Sequence, residues 1–240
     1  MSQTPTQTLP DTDPGLSKSG LDAEERVVRL VMEGIGQHRI PPGHRLVERE
    51  LTEGAHANRQ AVRNALLRLS QAGLVQLTPN RGATVMQCTP DMTRQIMQAR
   101  IINEGAALRM LAPRLDEAGS GRLQQILRNE ASAYDEGRIS EARHFSRQFH
   151  IAFTEMAGNE MIARFMRELI ACQPLLAAWD RDRPSSFSGV IAHTKTLAAL
   201  QRGDGAEAEA ANTELLCALE REFLRESAER DVGGRARGTQ

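Results

Sequence analysis

The chain has 240 residues and a formal net charge of −1, with 40% hydrophobic, 25% charged and only 3% aromatic residues. That is the composition of a globular protein of one large or two modest domains; so few aromatics argue against a β-sandwich or barrel and against reading single strands by base stacking. Cys88, Cys172 and Cys217 form no CxxC pair, which fits a reduced cytoplasmic setting, and no apolar run approaches the ~20 residues needed to span a bilayer.

Residues 1–20 are rich in Thr, Pro, Asp, Ser and Gly and read as a disordered tail without the basic and apolar regions of a signal peptide. From Asp22 to Ile35, the residues Val27, Val28, Leu30, Val31 and Ile35 recur at helical spacing. Pro41, Pro42 and Gly43 then break the chain. Two short helical patterns follow, VERELTEGA and NRQAVRNALLRLSQAG. The second opens on Asn58, a good N-cap, and closes at Gly73, a good terminator. LVQLT and ATVMQ, two alternating runs around a Pro-Asn-Arg-Gly turn, predict a β-hairpin. Three helices and a hairpin in this order make a winged helix-turn-helix over 21–88.

The region 89–230 is helical with short interruptions, and it contains no strand candidate. The breaks divide it into roughly 90–113, 120–136, 138–157, 160–173, 187–202 and 204–228, an antiparallel bundle of six or seven helices. Residues 231–240 read as a second disordered tail. The expected fold is therefore mostly α, with one small β-hairpin in the N-terminal domain.

A helix-turn-helix presents the start of its second helix to base edges in the major groove. Here that start is Asn58-Arg59-Gln60-Ala61-Val62-Arg63. Arg59 and Arg63, four apart, share a face; Arg suits the O6/N7 edge of guanine, and Gln or Asn suits adenine. Arg49 in the preceding helix and Arg81 at the hairpin tip are placed to reach phosphates or the minor groove. Six arginines (Arg45, Arg49, Arg59, Arg63, Arg68, Arg81) face three glutamates (Glu48, Glu50, Glu53) over 45–81, so a nearly neutral chain is locally basic.

The stretch PPGHRLVERELTEGAHANRQAVRNALLRLSQAGLVQLTPNRGATV resembles the DNA-binding domain of GntR-family bacterial transcription regulators. The resemblance implies DNA contacts by Arg49, Asn58, Arg59, Gln60, Arg63, Arg81 and Gly82. Asn58 and Ala61 stand where that pattern commonly has Ser or Thr and Pro, a difference that bears on the preferred operator. The segments around Arg100 and Glu104, FHIAFTEMAGN, AHTKTLAAL and GDGAEAEAA are similar to the helical effector-binding (FCD) domain of the FadR branch.

Many members of that branch hold Zn, Ni or Mn through an Asp and a His four residues apart and two later His residues. On this resemblance His150 and His193 fill two ligand positions, Ser146 replaces the Asp, and Leu215 replaces the last His. Three readings of the pair follow: hydrogen-bonded remnants of a metal site, a degenerate metal site completed by a shifted Glu214, or part of an effector site. In the third, Arg100, Ser146, His150 and His193 take a small, carboxylate-like ligand, with Arg100 as the two-point fork.

The whole implies a ligand-responsive transcription regulator, a repressor, acting as a homodimer on a pseudo-palindromic operator. The alternatives are an all-helical metal-dependent enzyme with an accessory DNA-binding domain, or an architectural DNA-binding protein without an effector. HExxH, GxSxG and P-loop motifs are all absent, so no catalytic residue is assigned.

Overall fold

A computed structural model of the chain describes residues 22–37, 39–79, 81–176 and 188–237. The first tail, the hairpin residue Asn80 and most of the Pro184–Gly189 break lie outside these residues. The backbone divides into two compact units, Met1–Gln87 and Cys88–Gln240.

In the first unit α1 spans Ala23–Gly36, β1 Arg45–Leu46, α2 Glu48–Gly54, α3 Arg59–Gln71, β2 Val75–Thr78 and β3 Gly82–Val85. Helix α1 starts because the Asp22 side chain accepts from Glu25 N–H at 2.7 Å, which satisfies one otherwise orphaned donor. Its apolar stripe (Val27, Val31, Ile35) packs with Leu51 of α2 and Val62, Leu66 and Leu69 of α3, all 4% exposed or less. The Arg26 side chain reaches from α1 to the carbonyls of Ala55 and His56, at 3.0 and 2.8 Å, and so closes the end of α2. The sheet order is β1-β3-β2, antiparallel throughout. The alternating pattern predicts β2 and β3, but β1 has only two residues, too few to show a period.

The second unit is a bundle of α4 (Pro90–Leu111), α5 (Glu117–Asp135), α6 (Ile139–Met156), α7 (Glu160–Ala171), the single turn α8 (Gln173–Leu176), α9 (Ser188–Gln201) and α10 (Gly205–Arg237). One apolar core gathers Leu108 and Leu111 from α4, Leu123 from α5, Phe149 and Phe153 from α6 and Leu200 from α9. A smaller one joins Met97 of α4 to Leu216 and Phe223 of α10. At the start of α10 a Cβ on Gly205 would stand 2.9 Å from Arg109 Cα, so only glycine lets α10 approach α4 so closely.

Two boundaries differ from the sequence expectation. Helix α5 begins before Gly119 and Gly121 rather than at a break running to Gly121, because the Asp116 side chain caps it by accepting from Gly119 N–H at 2.7 Å. Helix α10 continues to Arg237, through most of the segment expected as a tail. Each glycine of the Gly233-Gly234 pair lowers helix propensity by only about 1 kcal/mol, which an established helix tolerates.

Candidate functional site

Two sets of functional side chains stand out, one in each unit. In the first, Asn58 caps α3: its side-chain oxygen accepts from Ala61 N–H at 2.8 Å while its backbone is extended. The cap fixes where α3 begins and hence the direction in which Arg59, Gln60 and Arg63 project, all of them exposed. At the other end Gly73 adopts φ +72°, the left-handed geometry that terminates a helix. An open groove of about 450 Å³ runs between the start of α2, the start of α3 and the hairpin tip, lined by Arg45, Arg49, Thr52, Arg59 and Gly82 among others.

The structure thus brings Arg49, Arg59 and Gly82, from three separate elements, onto one groove. It also adds Arg45, which the sequence reading counted only as charge. Arg63 lies outside this lining and meets Glu48 of α2 at 3.5 Å, both side chains being well exposed. Gln60 donates to Asn64 Oδ1 at 2.9 Å along the helix, and Arg81 is exposed beside the tip.

The second set lies inside the bundle and forms one continuous chain of hydrogen bonds. Arg100 of α4, 0% exposed, donates Nε–H to Glu104 Oε1 at 2.7 Å and Nη1–H to Gln173 Oε1 at 2.9 Å. Glu104 Oε2 meets His150 Nδ1 at 2.8 Å and accepts from Asn212 Nδ2 at 2.9 Å. His150 Nε2 faces His193 Nε2 at 3.2 Å, and His193 Nδ1 meets Glu130 Oε2 at 2.9 Å. Helices α4, α5, α6, α9 and α10 each contribute at least one member. Phe149 stacks at a tilt on His193, with ring centroids 4.8 Å apart, and fixes its plane.

Charge follows from these contacts. Burial by itself raises the Glu104 pKa, but the Arg100 and His150 charges and the bonds from His150 and Asn212 outweigh it and bring the carboxyl down to about 2. His150 is pushed below the usual imidazole range, chiefly by burial, against the pull of Glu104. At neutral pH it is therefore the neutral tautomer that donates Nδ1–H to Glu104, and its Nε2 lone pair is turned toward His193 Nε2. Three buried polar atoms of this cluster have no hydrogen-bond partner among the described residues: Arg100 Nη2, Glu130 Oε1 and Asn212 Oδ1.

The family resemblance raises a divalent metal, and the residues do not fit one. The 3.2 Å separation of the two Nε2 atoms is close to the ~3.3 Å that two ligands of a tetrahedral zinc would have. Yet both nearby carboxylates are engaged at the far side of each ring, the arrangement that orients imidazoles rather than one that supplies ligands. Ser146 is half-buried one turn before His150 and takes no part in the chain of hydrogen bonds. Glu214 is exposed, so the local shift that would bring it inward does not occur, and Leu215 has no donor. Among the described residues no group of three or more His, Cys, Asp or Glu could hold a metal ion.

Glu130, Asn212 and Gln173 were not singled out from sequence. The signal for the first two was present: Glu130 continues the Leu123–Leu127 stripe of α5, and Asn212 follows Ala208 by one turn on α10, each a polar residue on a buried face.

Residues 95–218, just over half the chain, match the FCD domain family, and residues 23–85 match the family of bacterial regulatory proteins called gntR. The chain is a GntR-family transcription regulator with an FCD domain. It is similar to the HTH-type transcriptional repressor RspR of Escherichia coli K12, with 27% identity over 80% of this chain and 85% of that one. It also resembles the HTH-type transcriptional regulator LutR of Bacillus subtilis, at 24% identity over 72% of this chain and 88% of that one. The solved structure of E. coli McbR/YncC superposes with a TM-score of 0.78 at 18% identity, covering 86% of this regulator and 99% of McbR. A GntR regulator from Rhodococcus sp. RHA1 does so at 0.71 and 22%, covering 84% and 97%. These two establish the shared fold. No described helix of this GntR-family regulator is long and apolar enough to cross a membrane.

Proposed function

We propose that this regulator is a cytoplasmic repressor, without catalytic activity, that binds a pseudo-palindromic operator as a homodimer and is controlled by a small carboxylate held in its helical domain. The winged domain, residues 21–88, reads DNA. Arg59 and Arg63 contact bases, Arg49, Arg81 and Gly82 contact the backbone or minor groove, and Gln60 and Asn58 complete the set. The name of the relative RspR supports the repressing sign. The helical domain, residues 89–230, binds the effector at Arg100, with His150 and His193 behind it.

The observation that carries the effector half is the unsatisfied Nη2 of a fully buried arginine. A donor on a charged group left without a partner inside a protein is costly, and a carboxylate oxygen is the acceptor that suits it best. Ligand binding that favours one arrangement of the two DNA-reading domains over another changes operator affinity by that difference.

The test is a gel-shift titration on the DNA upstream of the protein's own gene, with short organic acids as additives. Arg100→Ala is expected to bind this DNA as the wild type does and to lose any response to acid. An unaltered dose-response in that variant removes Arg100 from the effector site.

A further inference from the structure

Around Glu104 the buried cluster leaves over one donor and one acceptor, carried by two side chains that hold the same carboxyl group. Arg100 and Glu104 are 0% exposed and Asn212 is 1% exposed. Arg100 donates Nε–H to Glu104 Oε1 at 2.7 Å, and Asn212 donates from Nδ2 to Oε2 at 2.9 Å. His150 Nδ1 occupies Oε2 as well, at 2.8 Å. Arg100 Nη2 and Asn212 Oδ1 therefore border one carboxylate, within reach of one molecule of a few carbons, and neither has a hydrogen-bond partner among the described residues.

The carboxylate also fixes the Asn212 amide. Turned over, the amide would set its oxygen against Glu104 Oε2, acceptor against acceptor, so its NH2 group faces Glu104 and Oδ1 is left as the free atom. Support of Glu104 accounts for Nδ2 and does not account for Oδ1. A buried acceptor without a donor costs free energy, as does a buried charged donor without an acceptor. The two needs are opposite in kind: a plain carboxylate serves Arg100 and offers Asn212 nothing to accept. Glu130 Oε1, the third unpartnered atom of the cluster, lies beyond both imidazoles, where a Cβ on Gly189 of α9 would stand 3.8 Å from it.

We propose that Asn212 selects the effector, and that the effector is a carboxylic acid carrying a hydrogen-bond donor, a hydroxyl or an amine, on carbon 2 or carbon 3. Its carboxylate accepts from Arg100 Nη2, and its donor meets Asn212 Oδ1. This rests on the reading of Arg100 as an effector contact. An acid without the donor leaves Oδ1 buried and unpaired on binding, and that is the source of the discrimination.

The test is isothermal titration calorimetry on the full-length protein with propionate, butyrate and valerate, each as the plain acid and with a hydroxyl or an amine on carbon 2 or carbon 3. At least one substituted acid is expected to bind about tenfold or more tightly than its plain parent, and the hydroxy and amino series decide which donor the site takes. Asn212→Leu brings that ratio close to one. Arg100→Gln weakens plain and substituted acids together. Circular dichroism on each variant confirms the helical fold, and Asn212→Ala carries the test if the leucine variant does not fold. Equal affinity for plain and substituted acids in the wild type overturns the proposal. So does an Asn212 variant that loses affinity for both by the same factor, since that is the signature of a residue that only supports Glu104, and so does a ratio that survives unchanged. Acids that bind wild type and Arg100→Gln with equal strength overturn the Arg100 reading instead, and binding by none of the acids overturns both.

Discussion

Replacing Glu104 with glutamine keeps the shape of the side chain and removes its charge, at a position 0% exposed. In the folded protein its carboxyl titrates at about 2 against an ordinary 4.5, which converts at 1.36 kcal/mol per unit to about 3 kcal/mol of stability at neutral pH. Because the folded value is the lower one, this contribution is complete above about pH 4.5 and is lost as the pH falls toward 2. About 2 kcal/mol of it is gone by pH 3. Glu104→Gln also leaves Arg100 buried without its counter-charge, so its total cost at pH 7 is expected at about 3–5 kcal/mol. The assay is urea unfolding followed by circular dichroism at pH 7 and pH 3, at one fixed protein concentration so that any change in association does not enter. The stability gap between wild type and Glu104→Gln should narrow by about 2 kcal/mol at the lower pH. A gap of the same size at both pH values would show that the carboxylate is not held ionised by Arg100 and His150, and the charge assignment of the whole cluster would fall with it.

Two other predictions concern DNA and metal. Arg59→Ala and Arg63→Ala should each cost about 1–3 kcal/mol at the specific operator and relax its sequence preference, measured by gel shift against point-substituted sites; unchanged affinity in both would remove α3 from the base-reading role. Protein purified without added metal should carry no stoichiometric divalent ion by mass spectrometry, and dialysis against a chelator should leave its melting temperature unchanged. Near-stoichiometric metal lost in a His150→Ala/His193→Ala variant would mean that a ligand outside the described set completes the shell.

The DNA-reading unit is legible from sequence because its signals are local. Asn58 as a cap, Gly73 as a terminator and the Leu51, Val62 and Leu69 positions each declare themselves within a few residues. The limits are equally physical. A two-residue strand such as β1 has no period, and the start of α5 depends on an aspartate cap that outweighs two glycines in the first turns. In the helical unit His150, His193 and Arg100 could be placed by their resemblance to the FCD pattern. The partners that give them their chemistry come from other helices: Glu130 lies 63 positions from His193, and Asn212 lies 108 from Glu104. Nothing in the chain near either histidine announces those pairings. A polar residue interrupting an apolar stripe is the only trace they leave.

The Arg63–Glu48 contact has a consequence for how this regulator behaves among bulk DNA. On the proposed DNA-reading arrangement, a duplex entering the groove brings its phosphates past a carboxylate, and Arg63 exchanges that partner for a base edge. On random sequence the exchange returns little, since the carboxylate repels the backbone and no guanine edge rewards the released arginine. On a site with guanine in register it returns a bidentate contact. On the proposed reading, Arg63 therefore adds affinity only at the right sequence, which sets the ratio of specific to random binding. Among a genome's many competing sites it is this ratio, rather than tightness, that governs occupancy.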